Sequence, residues 1–304
     1  MTKNQDEGLF RTATNKEVAE SGRNDLIGCI IITTKKMKEE ILTLENPFYA
    51  YLFGFIQTDG HLYQNSRNRG RLSIELGKRD EELLLELQKR LPFNSTISER
   101  TRKTNFSDKY VSVIWNVFDK KFRDFLTESG LPSGSKSKTI VSPIGKCSRI
   151  DYFRGLIDGD GSLGLTAKGF PYLSFITASP EIANEYLSFL KSITNKEKTT
   201  TANKRDNVFN IAIYKEDAQK VVKILYYENC LALPRKIQKA SDVLNWQRPI
   251  KMKKVENRKR WTDIEDNFIL SNSVEIAMKH LDRSQNSIEM RLWRLKTNLQ
   301  LVTD

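Results

Sequence analysis

Two aspartates, Asp59 and Asp160, stand in the same surroundings 101 positions apart. Each closes an apolar run and is followed by glycine: Tyr51-Leu-Phe-Gly-Phe-Ile-Gln-Thr-Asp-Gly in one place, Tyr152-Phe-Arg-Gly-Leu-Ile-Asp-Gly-Asp-Gly in the other. Carboxylates are hard oxygen ligands suited to a divalent cation, and a cation so held can assist phosphodiester hydrolysis. The rest of the composition narrows the choice to that route. With only two histidines, His61 and His280, neither a histidine metal cage nor a histidine-dependent hydrolase is supported. The three cysteines are scattered without a CxxC pair, which argues against a zinc cluster or a disulfide framework and for a reducing compartment. Fifty Lys and Arg against 38 Asp and Glu leave the 304-residue chain at +12, which points to a polyanionic partner. No apolar run is long enough for a membrane span.

The elements that must position these acids recur with them. Arg71-Leu-Ser-Ile-Glu-Leu pairs with Tyr172-Leu-Ser-Phe-Ile-Thr, and Leu131-Pro132 followed by Lys136 answers Leu233-Pro234 followed by Lys236. In each copy an apolar helix runs into Asp-Gly, opened in the first by Asn46-Pro47 as N-cap and N1. Alternating runs follow at 61–67 and 70–77, or 162–168 and 170–178, then a helix at 79–91 or 180–193. A second strand pair is expected at 95–103 with 109–117, and at 198–204 with 207–214; a helix at 119–128 or 215–229 closes the unit. The fold class read from this order is α+β: two αββαββα units, each an antiparallel sheet with helices on one face and the other face free for a ligand.

Gly54 and Gly155 lie inside helices that are apolar on nearly every side, so these helices are expected to be buried. An interior glycine costs about 1 kcal/mol relative to alanine, a cost that makes sense where another backbone approaches closely. Packing the two helices through their glycines would bring Asp59 and Asp160 side by side. Carboxylates there meet the unfavourable end of the helix dipole, which a divalent cation would relieve.

The two decapeptides resemble the paired motifs of the LAGLIDADG homing endonuclease family, and the resemblance covers roughly residues 46–245. Leu52 to Gly60 keeps Leu, Gly, Ile, Asp and Gly of the motif; Phe153 to Gly161 keeps Gly, Leu, Ile, Asp, Asp and Gly. Gln57 departs at the first Asp position and Arg154 at the first Ala position. The resemblance implies a monomer that mimics a dimer, with a saddle of two sheets over double-stranded DNA. It implies that Asp59 and Asp160 bind catalytic Mg2+, with Mn2+ as the substitute, that Lys136 and Lys236 are basic residues near the active site, and that the target is cut to leave 3′ overhangs. The other reading on the same scaffold is a binding protein without cleavage, either a transcriptional regulator or a maturase acting on intron RNA.

DNA contacts are expected on the open sheet faces. With Leu62 and Leu163 inward, alternation sends His61, Tyr63, Asn65 and Arg67 outward, with Ser162, Gly164, Thr166 and Lys168 in the second copy. Arg71, Ser73, Tyr172 and Ser174 follow by the same parity, and Arg100 and Arg102 if Ile97 faces in. Such arginine, amide and hydroxyl mixtures can satisfy base edges and phosphates.

The remaining segments read as an extension at 1–45 with no assignable role, units at 46–145 and 146–245, a basic linker at 246–260, and a small domain at 261–304. Arg258, Lys259 and Arg260 are phosphate-binding candidates in the linker. Thr262 with Glu265 reads as a capping box. A second helix over 273–280 and a third from Ser284 carrying Arg291 and Arg294 suggest a helix-turn-helix. Trp261 and the Arg-Ser-x-x-Ser-Ile-x-x-Arg run at 283–291 resemble a SANT/Myb-type repeat, although the middle tryptophan is missing and Trp293 sits one position past the usual third. The N-terminus lacks a secretory h-region, so a cytoplasmic setting (nucleoid or phage-infected cell) is expected, an organellar origin stays open, and the gene is expected to be freestanding or intron-borne.

Overall fold

A computed structural model describes residues 41–104, 107–250, 252 and 261–303. They fall into two units, one ending at Trp246 and one beginning at Gln247.

In the first unit, helix α1 (Pro47–Asp59) starts where the Asn46 side chain accepts from the Phe48 amide, with proline in the first turn. It runs directly into strand β1 (Gly60–Gln64), which pairs with β2 (Gly70–Gly77). Helix α2 (Glu81–Arg90), strands β3 (Ser95–Thr104) and β4 (Ser107–Val117) and helix α3 (Lys120–Glu128) complete the first repeat. The sheet is antiparallel with order β1-β2-β4-β3. The second repeat follows the same path through α4 (Arg149–Asp160), β5 (Gly161–Leu165), β6 (Pro171–Thr177), α5 (Pro180–Thr194), β7 (Phe209–Tyr214) and α6 (Lys215–Leu225). Its sheet has order β5-β6-β7.

The α+β class and the paired antiparallel sheets match the reading of the sequence. Three details differ. The expected strand at 198–204 does not form, because its residues include no apolar side chain larger than Ala202 to hold an inward face against the core. Lys198 instead reaches across to donate to the Ala212 carbonyl of β7 at 2.6 Å. β1 and β5 end sooner than expected, so Asn65, Arg67, Thr166 and Lys168 lie in turns and not on strands. In the first of these turns Arg67 and Asn68 take left-handed φ values of 58° and 60°. A further helix, α7 (Pro234–Asn245), closes the second repeat, signalled by proline at its N1 and inward Ala240 and Val243.

One core runs through both repeats. Its centre is the α1–α4 pair, buried from Tyr49 to Gln57 and from Asp151 to Asp158. Leu62, Leu72, Ile74, Val113 and Trp115 of the first sheet and Leu163, Leu173, Phe175, Ile211 and Ile213 of the second turn into this core. Arg235 of α7 crosses back to pair with Asp80 of the first repeat at 2.9 Å. Arg154, where the family motif has alanine, is 1% exposed and fully engaged: it bonds Asp151 and the carbonyls of Leu225 and Leu231, with Tyr51 and Tyr227 beside its guanidinium.

The second unit comprises helices α8 (Asp263–Ser271), α9 (Val274–Leu281) and α10 (Gln285–Thr303) around Ile269, Ala277 and Ile288. Both halves of the Thr262–Glu265 capping box are present. Among the described residues no helix is long and apolar enough to cross a membrane.

Candidate active site

The site is built where α1 and α4 end. A Cβ added to Gly54 would lie 2.2 Å from the Tyr152 carbonyl oxygen, and one added to Gly155 would lie 2.2 Å from that of Tyr51. Each helix therefore presents bare backbone to the other, the close approach that interior glycines permit. Reciprocal hydrogen bonds fix the register: Tyr51 donates to Asp158 at 2.8 Å, and Tyr152 donates to Gln57 at 2.6 Å. Gln57 and Asp158 occupy the same place in the two motifs, so each motif's sixth position accepts a tyrosine from the opposite helix. Asp158 also accepts from Tyr226 and from the Leu233 amide, so this fully buried carboxylate has all its demand met.

At the lower end Thr58 meets Gly159. A Cβ on Gly159 would fall 1.8 Å from Thr58 Oγ1 and 2.5 Å from Asp59 Oδ2, so the Asp59 carboxylate lies against the residue preceding Asp160. Thr58 Oγ1 lies 2.8 Å from the Phe55 carbonyl oxygen and 3.1 Å from Asp59 Oδ2, so its one hydroxyl proton serves either acceptor. Asp59 and Asp160 keep an exposed side. Loss of water on the inner side raises the pKa of both, and the Asp59 charge raises that of Asp160 further, while Lys136 and Lys236 act in the opposite direction.

Lys136 and Lys236 are buried, 8% and 3% exposed, and do something the sequence does not announce. Lys136 Nζ donates to the carbonyls of Gln57 and Thr58 at 2.8 and 3.0 Å. Lys236 Nζ donates to those of Ile157, Asp158 and Gly161. Each ammonium thus sits against carbonyls of the last turn of the helix that delivers an aspartate, where positive charge is favoured, and Lys236 also ties in the Gly161 carbonyl at the start of β5. Burial lowers both lysine pKa values, that of Lys236 to about 8.

Among the described residues no cluster of three or more His, Cys, Asp or Glu side chains could hold a metal. Asp59 and Asp160 would be the donor set for any ion held here, and two carboxylates fit the chemistry of Mg2+, which is bound through one or two carboxylates and otherwise by water and substrate phosphate.

Of the residues expected to meet DNA, Tyr63, Arg71, Ser73, Ser162, Tyr172 and Ser174 lie on the outward sheet faces. Arg100 and Arg102 also face out, both ion-paired with Glu75, at 3.9 and 3.1 Å. Asn65, Arg67, Thr166 and Lys168 lie at the hairpin tips. In the second unit Arg291 binds Asp266 through both Nε and Nη2, so its guanidinium serves the bundle, while Arg294 is exposed. Arg258, Lys259 and Arg260 fall outside the described residues.

Tyr51, Tyr152, Asp158 and Arg123 were not singled out by sequence reasoning. The tyrosines could have been found, since they recur at the 101-residue offset. Arg123 could not: it looks like any helix-surface arginine, yet it is buried and bonds the carbonyl of Asn68 at 2.9 Å, holding the first hairpin tip.

The family model described as "LAGLIDADG-like domain" matches residues 48–128 and 149–226, more than half of the chain, and the protein belongs to that family. One match falls on each repeat, the second ending before α7. Solved structures with a similar fold include the homing endonuclease I-WcaI bound to its DNA recognition sequence (18% identity, 68% of this chain and 91% of that one, TM-score 0.47). Others are mesophilic variants of the homing endonuclease I-DmoI (16%, 64% and 97%, 0.45) and the meganuclease I-SmaMI bound to uncleaveable DNA (13%, 66% and 90%, 0.41). No curated protein sequence matches the chain significantly.

Proposed function

We propose that the protein is a site-specific endonuclease that hydrolyses one phosphodiester in each strand of a DNA duplex. The observation that carries this reading is the meeting of Asp59 and Asp160 at the abutting ends of two glycine-packed helices. Together they would hold Mg2+ or Mn2+, which when bound polarises the scissile phosphate and lowers the pKa of water.

The chain's own residues do the rest. Thr58 Oγ1 stands beside the Asp59 carboxylate and shares its proton between that group and the Phe55 carbonyl. Lys136 and Lys236 hold the helix ends in place and offset the repulsion between the acids. The outward faces seat the duplex, Tyr63, Arg71, Ser73, Arg100 and Arg102 on one half and Ser162, Tyr172 and Ser174 on the other, with the +12 charge favouring the polyanion. One chain carries both acids, so a monomer suffices.

A plasmid library carrying candidate targets, incubated with Mg2+, tests the reading. Double-strand cleavage at a defined site is expected, and Asp59→Asn or Asp160→Asn should lower it by orders of magnitude while duplex affinity is retained. Full cleavage by either variant would overturn the assignment of the acids. Specific binding with no cleavage in Mg2+ or Mn2+ would favour the non-cleaving alternative.

A further inference from the structure

The two sheets present different chemistry at equivalent positions, and the difference bears on which base pairs each would read. At the 101-residue offset His61 answers Ser162, Arg71 answers Tyr172, and Glu75 answers Ile176. The first face is charged, with Glu75 bridging Arg100 and Arg102. On the second, β6 and β7 pair Tyr172 with Tyr214, Ser174 with Ala212 and Ile176 with Asn210. These outward side chains alternate with fully inward ones, and none is charged.

Ile176 is 43% exposed and Tyr214 54% exposed, although their strand neighbours Phe175 and Ile213 are each 1% exposed. An isoleucine held out on an ordered strand, among hydroxyl and amide groups, has nothing to donate or accept. In a major groove the complementary group is the 5-methyl of thymine. A protein partner could also cover apolar residues, but Lys198 stands at the edge of this sheet on the Ala212 carbonyl of β7, and the chain's net charge of +12 suits a phosphate backbone better.

We propose that the second sheet reads thymine methyl groups through Ile176 and, farther out, Ala212 and Tyr214, so that the half-site under the second repeat is rich in T·A pairs. The inference rests on the DNA reading given above and specifies its substrate. Ile176 lies one residue beyond Phe175, the partner of Gly161, and therefore at the Asp160 end of the sheet, toward the cut. Outward residues on one strand are about 6.8 Å apart, close to the rise of two base pairs at about 3.4 Å each. Methyl-sensitive positions should accordingly recur at about two-base-pair spacing, starting near the cleavage point.

The test begins with selection of a bound duplex from a randomised library, in EDTA, by the full chain and by Ile176→Ser. Positions whose preferred base changes in the serine variant identify the half-site under β6. Thymidines in each half of the selected duplex are then replaced singly by deoxyuridine, which removes only the methyl group. Loss of one buried methyl should weaken wild-type binding about fourfold at those positions. Ile176→Ser should show no such loss at the position that Ile176 contacts, and Ile176→Val, which keeps branched methyls, should retain most of it. Equal losses in both halves, a selected half-site without thymine, or an undiminished loss in the serine variant would overturn the inference while leaving DNA binding intact. Failure to enrich any duplex would overturn the functional reading, and this one with it.

Discussion

Loss of water around the buried Lys236 ammonium lowers its pKa to about 8, well below the ordinary lysine value, even though three carbonyls accept from it. The unfolded chain keeps that proton to higher pH, so between about 8 and 10.5 it binds more protons than the folded chain does. This lysine therefore costs stability below pH 8, and the cost fades as pH rises through that window. Urea unfolding of the wild type and of Lys236→Met at pH 7 and pH 9.5 checks the sign, with other titrating groups cancelling in the comparison. The wild type should gain on the variant at the higher pH, by roughly 2 kcal/mol at most, since pH 9.5 spans only about 1.5 units of that window. An unchanged gap would mean that the ammonium keeps enough water to titrate normally. A second residue-scale expectation concerns the struts between the helices. Tyr51→Phe leaves the buried Asp158 short of one donor, which should cost about 1–3 kcal/mol. Tyr152→Phe strands only the neutral Gln57 oxygen and should cost less, so thermal unfolding of the two variants ranks them.

At the scale of elements, the α1–α4 interface tolerates no added carbon at its glycines. Gly54→Ala places a methyl 2.2 Å from a backbone oxygen, which no side-chain rotation can relieve, so expression as a folded protein should be lost or the melting temperature should fall steeply. Gly159→Ala meets chiefly the Thr58 side chain instead, so exchanging the pair as Thr58→Gly with Gly159→Ala should recover much of the stability lost in Gly159→Ala alone. Similar melting temperatures for the exchange and for Gly159→Ala would show that the Asp59 carboxylate, not Thr58, sets the limit. This interface was legible in the sequence because an interior glycine in an all-apolar helix has few explanations, and the duplication named its partner. The strand expected at 198–204 was misread for the opposite reason: Thr199, Thr200 and Thr201 favour extended backbone, but strand formation there depends on inward packing that local preference does not report. The lysine caps were half legible. Their recurrence after Leu-Pro marked Lys136 and Lys236 as important, but no spacing rule says that a lysine 79 positions downstream will reach a helix end.

For the whole molecule, the open question is what the second unit adds. If it binds DNA, its covalent connection turns a second encounter into an intramolecular one, and affinity should rise about 10²-fold over that of the first unit alone. A chain ending at Trp246, where the first unit ends, should bind more weakly, shorten the protected footprint on one side, and still cut at the same phosphates when saturating. Within the second unit, Arg294→Ala should weaken binding, whereas Arg291→Ala should lower the melting temperature of the bundle by removing the partner of Asp266. Unchanged affinity and footprint in the truncated chain would assign the tail to another partner. The Thr58–Gly159 contact has a consequence for ancestry and for engineering alike. Two copies of the first repeat would set threonine against threonine where only glycine fits, and two copies of the second would leave a gap between glycines where threonine now fills it. Neither half can any longer serve as both members of a symmetric pair, so the divergence that followed duplication is difficult to reverse, and shuffling halves between related proteins will succeed only when position 58 and position 159 travel together.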